Sequence, residues 1–319
     1  MLVLIAAGFC AFLVGMCFKY ISSQKYAAVV RHKEEECFYD PFLDKTVTFP
    51  SLDDPATISL SVIVPAYCEE NRLPVMLDEC LLYLEKKLSN DPQSTYEVII
   101  VDDGSKDKTT EVALNYSKQY GCDKVRVLTL VQNRGKGGAV RLGMLSSRGK
   151  QLLFADADGA TKFEDISKLQ TSLSQLKEGH SDELPAVVCG SRAHLEKEAI
   201  ATRSIARNFL MKGFHLLVWL FAVRSIRDTQ CGFKLLTRPA ARILFPSLHI
   251  ERWAFDVELL YIAETLRIPT SEVAVRWTEI EGSKIVPFWS WLQMGRDLIL
   301  IWLRYNIGVW KIKDQEKVK

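Results

Sequence analysis

The sequence predicts an α/β protein built on a doubly wound, mostly parallel sheet, with an N-terminal transmembrane helix and amphipathic helices at the C-terminus. Three observations lead to this fold class. From residue 58, short runs rich in Val, Ile and Leu alternate with segments of helical periodicity, as in parallel sheets with helices on both faces. An uncharged apolar run opens the chain, and tryptophan-rich amphipathic segments close it.

The composition indicates a folded protein and argues against nucleic-acid binding, a disulfide framework and a zinc site. The chain has 319 residues, of which 48% are hydrophobic and 25% charged, so it can bury a sizeable core. A net charge of +2 without a basic stripe argues against nucleic acid as a partner. Eight cysteines form no C-x-x-C pair, so we expect reduced core cysteines rather than a disulfide framework or a zinc site.

Residues 1–21 are predicted to form a membrane anchor. The run 2–18 carries no charge over 17 residues and would span about 26 Å as a helix, close to the ~27 Å of the ER bilayer. Basic residues such as Lys19 and Lys25 follow the run, which indicates an uncleaved single-pass anchor with the rest of the chain in the cytosol. A buried core helix is the alternative. The polar stretch 22–57 predicts a stalk or linker.

The α/β pattern predicts one catalytic domain over residues 58–280. Apolar runs at 58–66, 96–104, 124–132, 151–158 and 186–192 are short and uniformly apolar, as expected for strands buried on both faces. Segments 71–88, 105–120, 136–148 and 161–176 between them show helical spacing and polar starts. No internal repeat interrupts the alternation.

Chemically active residues follow the predicted strands, where ligands bind in doubly wound sheets. Asp156 and Asp158 leave the strand 151–158 one residue apart, so both carboxylates project to the same side. Such a pair suits a divalent cation of the Mg²⁺ or Mn²⁺ type, which joins carboxylates to substrate phosphates. The alternative is a solvated turn, in which Thr161 and Glu164 form a capping box for the next helix.

The segment NRGKGGAVRLG (133–143) is suited to phosphate. Gly135, Gly137 and Gly138 permit close backbone approach, Lys136 supplies a cation, and a helix begins there whose amides favour anions. The segment matches neither the P-loop pattern nor the dinucleotide fingerprint.

The C-terminal third changes character. Segments 209–223 and 287–310 are apolar but interrupted by charges, and the second holds four tryptophans. Tryptophan and long cationic side chains beside aliphatic faces are typical of helices in a membrane interface, which we assign to residues 281–319. Core helices at the edge of the domain are the alternative.

Several stretches together resemble a known family. VPAYCEE (64–70), VDDGSKDKT (101–109), the glycine segment and ADADGAT (155–161) resemble the nucleotide-sugar domain of inverting GT-A glycosyltransferases. GSRAHLEKEA (190–199), DTQCGFKLLTR (228–238) and ERWAFDVELLYIAE (251–264) resemble the dolichyl-phosphate β-glucosyltransferases more specifically. The resemblance implies transfer of glucose from UDP-glucose to dolichyl phosphate on the cytosolic face of the ER, for protein N-glycosylation.

The resemblance also implies roles on the donor side. Pro65, Tyr67, Glu69 and Asp103 would hold the uridine, and Lys136 would lie near the nucleotide. Asp156 and Asp158 would bridge Mg²⁺ or Mn²⁺ and the diphosphate. In related polyprenyl-phosphate sugar transferases a Gln ligates the metal two positions after the second Asp, where this chain has Ala160.

On the acceptor side, a phosphate monoester is already mostly dianionic at cytosolic pH, so no strong general base is expected. Arg192, together with Arg203 or Arg207, is expected to orient the dolichyl phosphate, because arginine offers bidentate phosphate contacts. Asp256 stands where related enzymes with hydroxyl acceptors keep a base, and it is kept as a candidate catalytic residue. The remaining candidates, for the acceptor-side wall, are Gln230, Gly232 and Lys234.

Three alternatives stay open at this point. A dolichyl-phosphate mannosyltransferase using GDP-mannose would share the metal and acceptor chemistry, and a noncatalytic scaffold would keep only the fold. A processive synthase would need a transmembrane channel that this chain lacks. Membrane lipid is an expected partner, and a homo-oligomer is compatible with the sequence.

Overall fold

The computed structural model describes residues 27–181, 183–195, 213, 218, 223–280 and 287–313, with side chains from residue 293 onward in the last range. The predicted anchor 1–21, together with Arg203 and Arg207, lies outside the described residues. Among the residues described, no helix combines the length and the apolar character needed to cross a membrane.

The strands form a hairpin and one large sheet. The hairpin pairs β1 with β2, and the large sheet has the order β5-β4-β3-β6-β8-β7-β9. The strand bounds are β1 Cys37–Asp40, β2 Lys45–Thr48, β3 Ile58–Ala66, β4 Tyr96–Asp102, β5 Val125–Thr129, β6 Gly149–Ala155, β7 Val187–Ser191, β8 Phe233–Thr237 and β9 Thr270–Ala274. All neighbouring pairs of the large sheet are parallel except those of β8, which runs antiparallel to β6 and β7. The mostly parallel sheet is thus confirmed.

Helices cover both faces of this sheet. Their bounds are α1 Leu73–Asn90, α2 Thr109–Tyr120, α3 Lys136–Leu145, α4 Ile166–Lys177, α5 Arg238–Leu244, α6 Phe255–Thr265 and α7 Pro287–Asn306. Alternate residues of each strand feed separate cores: Val62 and Val64 pack with α1, α2 and α4, whereas Ile63 packs with α3, α5 and α6. Because successive side chains of a strand point to opposite faces, a strand that contributes to both cores must be apolar at every position.

The predicted stalk belongs in part to the domain, which corrects the boundary at residue 58. Phe38, Phe49 and Leu52 are buried in the core. The Glu35 carboxylate is fully buried and accepts a hydrogen bond from Arg134 Nη2 at 3.1 Å. A polar composition therefore did not mean a free linker here, because apolar side chains of the stretch are buried in the core and Glu35 is paired with Arg134.

Helix α7 has two different faces. Its inner face buries Leu298 and Ile301, and Ile301 packs with Ala254. Its outer face exposes Ile299 and Trp302, which are 47% and 39% accessible. The helix thus packs on the domain, as a core helix would, and also presents an apolar outer face.

Candidate active site

Asp156 directly follows the carboxyl end of β6 and lies opposite Gly232, the residue before β8. Its backbone N–H donates to the carbonyl of Gly232 at 3.0 Å, and its side chain is 36% exposed. The ammonium of Lys136, at the first residue of α3, lies 2.6 Å from Oδ1. Burial alone would lower the pKa of Lys136, but the carboxylates of Asp156, Asp256 and Asp158 raise it above its usual value. The lysine is therefore a fixed cation beside the strand end.

Asp158 lies in the turn after β6, rather than on an extended strand, and is close enough to Asp156 for the two charges to interact. Its Oδ1 accepts the Ala160 N–H at 3.0 Å. Burial, and next the charge of Asp156, raise the pKa of Asp158, while Lys136 opposes them. The two carboxylates thus supply hard oxygen donors of the kind that a divalent cation takes.

The alternative capping role of this turn is not what the structure shows. Thr161 bridges to Trp277, and no side-chain cap precedes the short 3₁₀ helix Phe163–Asp165. The carboxylate of Glu164 pairs instead with Arg276 at 2.9 Å. The acidic turn is thus not explained by helix capping.

The expected nucleotide side gathers at the ends of β3 and β4. Pro65 is in β3, and Tyr67 follows it with an exposed ring. The Glu69 carboxylate is buried and accepts Arg72 Nε at 2.6 Å, while its backbone N–H donates to Thr109 Oγ1 at 2.8 Å. Tyr67 therefore offers accessible surface there, whereas Glu69 is committed to an ion pair.

Asp103 shapes the loop before α3. Its side chain accepts the backbone N–H groups of Arg134 at 2.7 Å and Gly135 at 2.8 Å. Burial raises the pKa of Asp103 to about 6, although these two donors act in the opposite direction. Gly135 has φ +87°, a conformation that L side chains rarely adopt. The Asp103 carboxylate therefore holds the backbone of the loop that leads to Lys136.

Lys234 and Asp256 form a buried ion pair. Lys234 Nζ is fully buried and donates to Asp256 Oδ1 at 2.6 Å and to the Cys231 carbonyl at 2.8 Å. This corrects the expectation that Lys234 lines the acceptor-side wall, because its ammonium has no access to a ligand. Asp256 is likewise enclosed, and its neighbour Glu258 accepts the backbone N–H groups of His249 and Ile250.

Arg192 follows β7 and is held by Asp228. Arg192 Nε and Nη2 each donate to the Asp228 carboxylate at 2.8 Å, and the guanidinium carbon lies 5.5 Å from the centre of the Trp277 ring. Gln230, two residues after Asp228, is partly buried, and its Nε2 lies 4.0 Å from the sulfur of Met294. Asp228 belongs to the motif stretch 228–238 but was not predicted as a site residue, and Trp277 lies outside the motif stretches.

Seven of the residues in and around the site fall into two groups. The structure brings together Asp156, Asp158, Lys136 and Gly232. The side chains that support the walls behind them are those of Asp103, Lys234 and Asp256. Across the described part of the chain, no cluster of three or more His, Cys, Asp or Glu side chains is placed to hold a metal ion. A metal here would rest on two carboxylates, with substrate or water completing its shell.

A family model and several named relatives match this chain. The model of the family "Glycosyl transferase family 2" matches residues 61–242. Dolichyl-phosphate beta-glucosyltransferase of Drosophila melanogaster is 66% identical over 92% of this chain and 90% of its own length. The Homo sapiens protein of that name is 59% identical over 94% and 91%, respectively. That of Saccharomyces cerevisiae is 44% identical over 81% and 78%.

A solved structure shows the same fold. Glucosyl-3-phosphoglycerate synthase of M. tuberculosis superposes with a TM-score of 0.52 at 17% identity, covering 77% of this chain and 80% of that one. The α/β fold described above is thus shared with a solved structure. This chain belongs to glycosyl transferase family 2 and, within it, to the family of the dolichyl-phosphate beta-glucosyltransferases.

Proposed function

We propose that this chain transfers glucose from UDP-glucose to dolichyl phosphate with inversion at C1, giving dolichyl β-D-glucosyl phosphate. The observation that carries the proposal is the cluster of Asp156, Asp158 and Lys136 at the sheet edge. It belongs to a chain whose relatives, 59–66% identical, bear the name of this activity.

The residues present fit a divalent cation. Asp156 and Asp158 provide hard oxygen donors, and the absent side chain of Gly232 leaves room for the Asp156 carboxylate. These two aspartates would hold Mg²⁺ or Mn²⁺, and the ion would offset negative charge on the departing diphosphate. Lys136 brings a second positive charge to the same place from the start of α3.

The acceptor chemistry needs no proton removal. A phosphate oxygen of dolichyl phosphate attacks C1 of glucose, a new C1–O bond forms, and the bond from C1 to the UDP oxygen breaks with its electron pair leaving on UDP. Because Asp256 is buried and paired with Lys234, it is not placed to serve as a base. Its role is to position Lys234, and through it the β8 strand that holds Gly232 beside Asp156.

The acceptor must be held by cations. Arg192 stands at the end of β7, with Asp228 fixing the plane of its guanidinium. This fixed orientation supports a role in directing the phosphate, because pre-organised arginine loses little freedom on binding. Arg203 or Arg207 is expected to join it.

We further place the protein in the ER membrane, single-pass, with the catalytic domain facing the cytosol. The apolar run 2–18 with basic residues after it supports this orientation. Asn115 of the sequon Asn-Tyr-Ser is exposed on α2, so it reports topology. The measurement is the change in mass of the protein on digestion with a glycosidase. A decrease in mass that is absent in Asn115→Gln would show a glycan on Asn115, place α2 in the lumen and overturn the orientation.

The activity is tested by transfer of labelled sugar to dolichyl phosphate. The membrane-bound chain is given UDP-glucose or GDP-mannose, with and without a metal chelator. Product from UDP-glucose alone that the chelator abolishes is the expected result. Product from GDP-mannose alone would assign the mannosyl reaction instead, and no product from either would leave the noncatalytic scaffold.

A further inference from the structure

Trp277 lies just beyond the last strand of the sheet, between two parts of the active site. Directly after β9, the backbone N–H of Val275 donates to the carbonyl of Ser191, the last residue of β7, at 3.1 Å. Three residues later, the N–H of Thr278 donates to the carbonyl of Ala160, in the acidic turn, at 2.9 Å. Backbone contacts therefore fix Trp277 between the end of β7 and this turn, whatever its side chain.

The ring of Trp277 covers one face of the Arg192 guanidinium. Successive side chains of an extended chain point to opposite sides. On one side, Arg276 Nη2 lies 2.7 Å from Oδ1 of Asp165. On the other, the guanidinium carbon of Arg192 lies over the Trp277 ring, 5.5 Å from its centre. This distance is within the range of a cation–π contact, which extends to about 6 Å.

The edge of the same guanidinium is bound by a carboxylate whose own position is fixed. Asp228 accepts Nε and Nη2 of Arg192, each at 2.8 Å. Glu272, in β9, accepts the backbone N–H of Asp228 at 3.0 Å and that of Arg227 at 2.9 Å. A guanidinium bound only along one edge can still turn about that edge, so the ring against its face supplies the second restraint.

One amino group of Arg192 remains available to a ligand. Among the residues that the structure describes, none accepts a hydrogen bond from Nη1, and the side chain is 32% exposed. Arg192 is also close enough to Asp156 for the two charges to interact, which places it beside the transfer site. Because Asp228 offsets its charge, Arg192 offers a donor of fixed direction rather than an unpaired charge.

We propose that Trp277 is a positioning residue for Arg192: its ring and the Asp228 carboxylate together hold the guanidinium so that Nη1 donates to the phosphate of dolichyl phosphate. This role depends on the acceptor role proposed above for Arg192. An arginine held in this way loses less side-chain freedom on binding, so it binds the phosphate more tightly than a mobile one. Trp277 thereby acts through Arg192, without a bond to the substrate.

The test is calorimetric titration of the full chain, in detergent, with short-chain dolichyl phosphate. UDP and Mn²⁺ are present throughout, so that the donor side is filled and no sugar is transferred. Trp277→Leu should weaken binding roughly three- to tenfold, the loss expected for one cation–π contact. Trp277→Phe keeps a ring face and should lose less. Trp277→Met also lacks a ring and takes the place of Trp277→Leu if that variant does not fold.

A double variant separates positioning from an independent role of Trp277. Arg192→Gln should weaken binding of dolichyl phosphate by at least roughly tenfold. The variant that combines Arg192→Gln with Trp277→Leu should bind as weakly as Arg192→Gln alone, because no guanidinium is then left to position. Losses that add in the double variant would overturn the proposal.

The affinity for UDP and Mn²⁺, titrated without dolichyl phosphate, separates positioning from a merely structural role. A ring that only stabilised the acidic turn would weaken this affinity on removal, whereas we expect it to stay unchanged in Trp277→Leu. Equal weakening of both affinities would contradict the positioning role. Phe38→Leu is the matched control, because it removes a ring that lies 5.0 Å from the guanidinium carbon of Arg126, on the β1–β2 hairpin. It should leave both affinities unchanged.

A failed acceptor site and a failed role of Trp277 give different results. No binding of dolichyl phosphate by the unmodified chain would contradict the proposed function, and the role of Trp277 with it. Weaker binding in Arg192→Gln, with unchanged binding in Trp277→Leu, would overturn the role of Trp277 alone.

Discussion

The carboxylate of Asp156 lies directly over the Cα atom of Gly232. A Cβ atom added at Gly232 would stand 2.0 Å from Oδ2 and 2.2 Å from Cγ of Asp156, far inside van der Waals contact. The glycine immediately before β8 is thus a geometric condition for the position of the Asp156 carboxylate.

Gly232→Ala should therefore displace the Asp156 carboxylate and leave the fold in place. Displacement on the order of 1 Å costs roughly a hundredfold in rate, so glucose transfer should fall by about that factor. Transfer kinetics and thermal unfolding of the same preparation measure the two effects. Gly295→Ala, where a Cβ would meet open space, is the control. Unchanged kcat in Gly232→Ala would show that the carboxylate position is not critical.

Asp156→Asn and Asp158→Asn should each lower transfer by at least roughly a hundredfold, because each removes a negatively charged oxygen that would hold the cation, and the cation would offset the negative charge developing on UDP. Binding of Mn²⁺ in the presence of UDP, followed by calorimetry, should be lost in parallel. Asp53→Asn changes an exposed carboxylate elsewhere and should match the unmodified protein. Full activity in both site variants would exclude the assigned metal site.

The Lys234–Asp256 pair predicts a stability effect rather than a binding effect. Lys234→Met should lower the free energy of unfolding by about 3–5 kcal/mol, because it leaves a buried carboxylate unpaired. Combining it with Asp256→Leu should recover part of that loss, since no buried charge then remains. Lys162→Met breaks the exposed pair with Glu79 and should cost about 0–1 kcal/mol. A Lys234→Met protein as stable as the original, with a raised KM for dolichyl phosphate, would restore the acceptor role.

Asp103 predicts a defined pH dependence of stability. Its ordinary pKa is 3.8 and burial raises it to about 6, so the folded state binds the proton more tightly than the unfolded state. The stabilisation is fully present below the ordinary value and is lost as pH rises through the raised pKa. It amounts to at most about 3 kcal/mol.

Denaturation of the original protein and of Asp103→Asn, compared between pH 4 and pH 7, measures this effect. The original should lose stability relative to the variant across that interval. Asp123→Asn, at an exposed carboxylate, is the control: its stability should differ from that of the original protein by the same amount at every pH. A difference between the original and Asp103→Asn that does not change with pH would contradict the burial argument.

Local patterns predicted a large part of this molecule correctly. Uniform apolar runs identified five strands of the sheet, because strands buried on both faces have no polar side. The role of Asp156 and Asp158 as a metal-binding pair stays a prediction, and the structure places Asp158 in the turn after β6 rather than on an extended strand. The same patterns did not single out β8 and β9, whose role depends on their neighbours.

The sequence by itself determined the fold class, the strand ends that carry chemistry and, through its motifs, the family. The tertiary structure decided which charges meet: Arg192 with Asp228, 36 residues later, and Lys234 with Asp256, 22 residues later. It also decided that part of the predicted stalk packs on the domain through Glu35 and Arg134. The physical reason is that periodicity acts along a few residues of chain, whereas distant charges meet only when elements far apart in sequence pack together, as β8 and α6 do at Lys234 and Asp256.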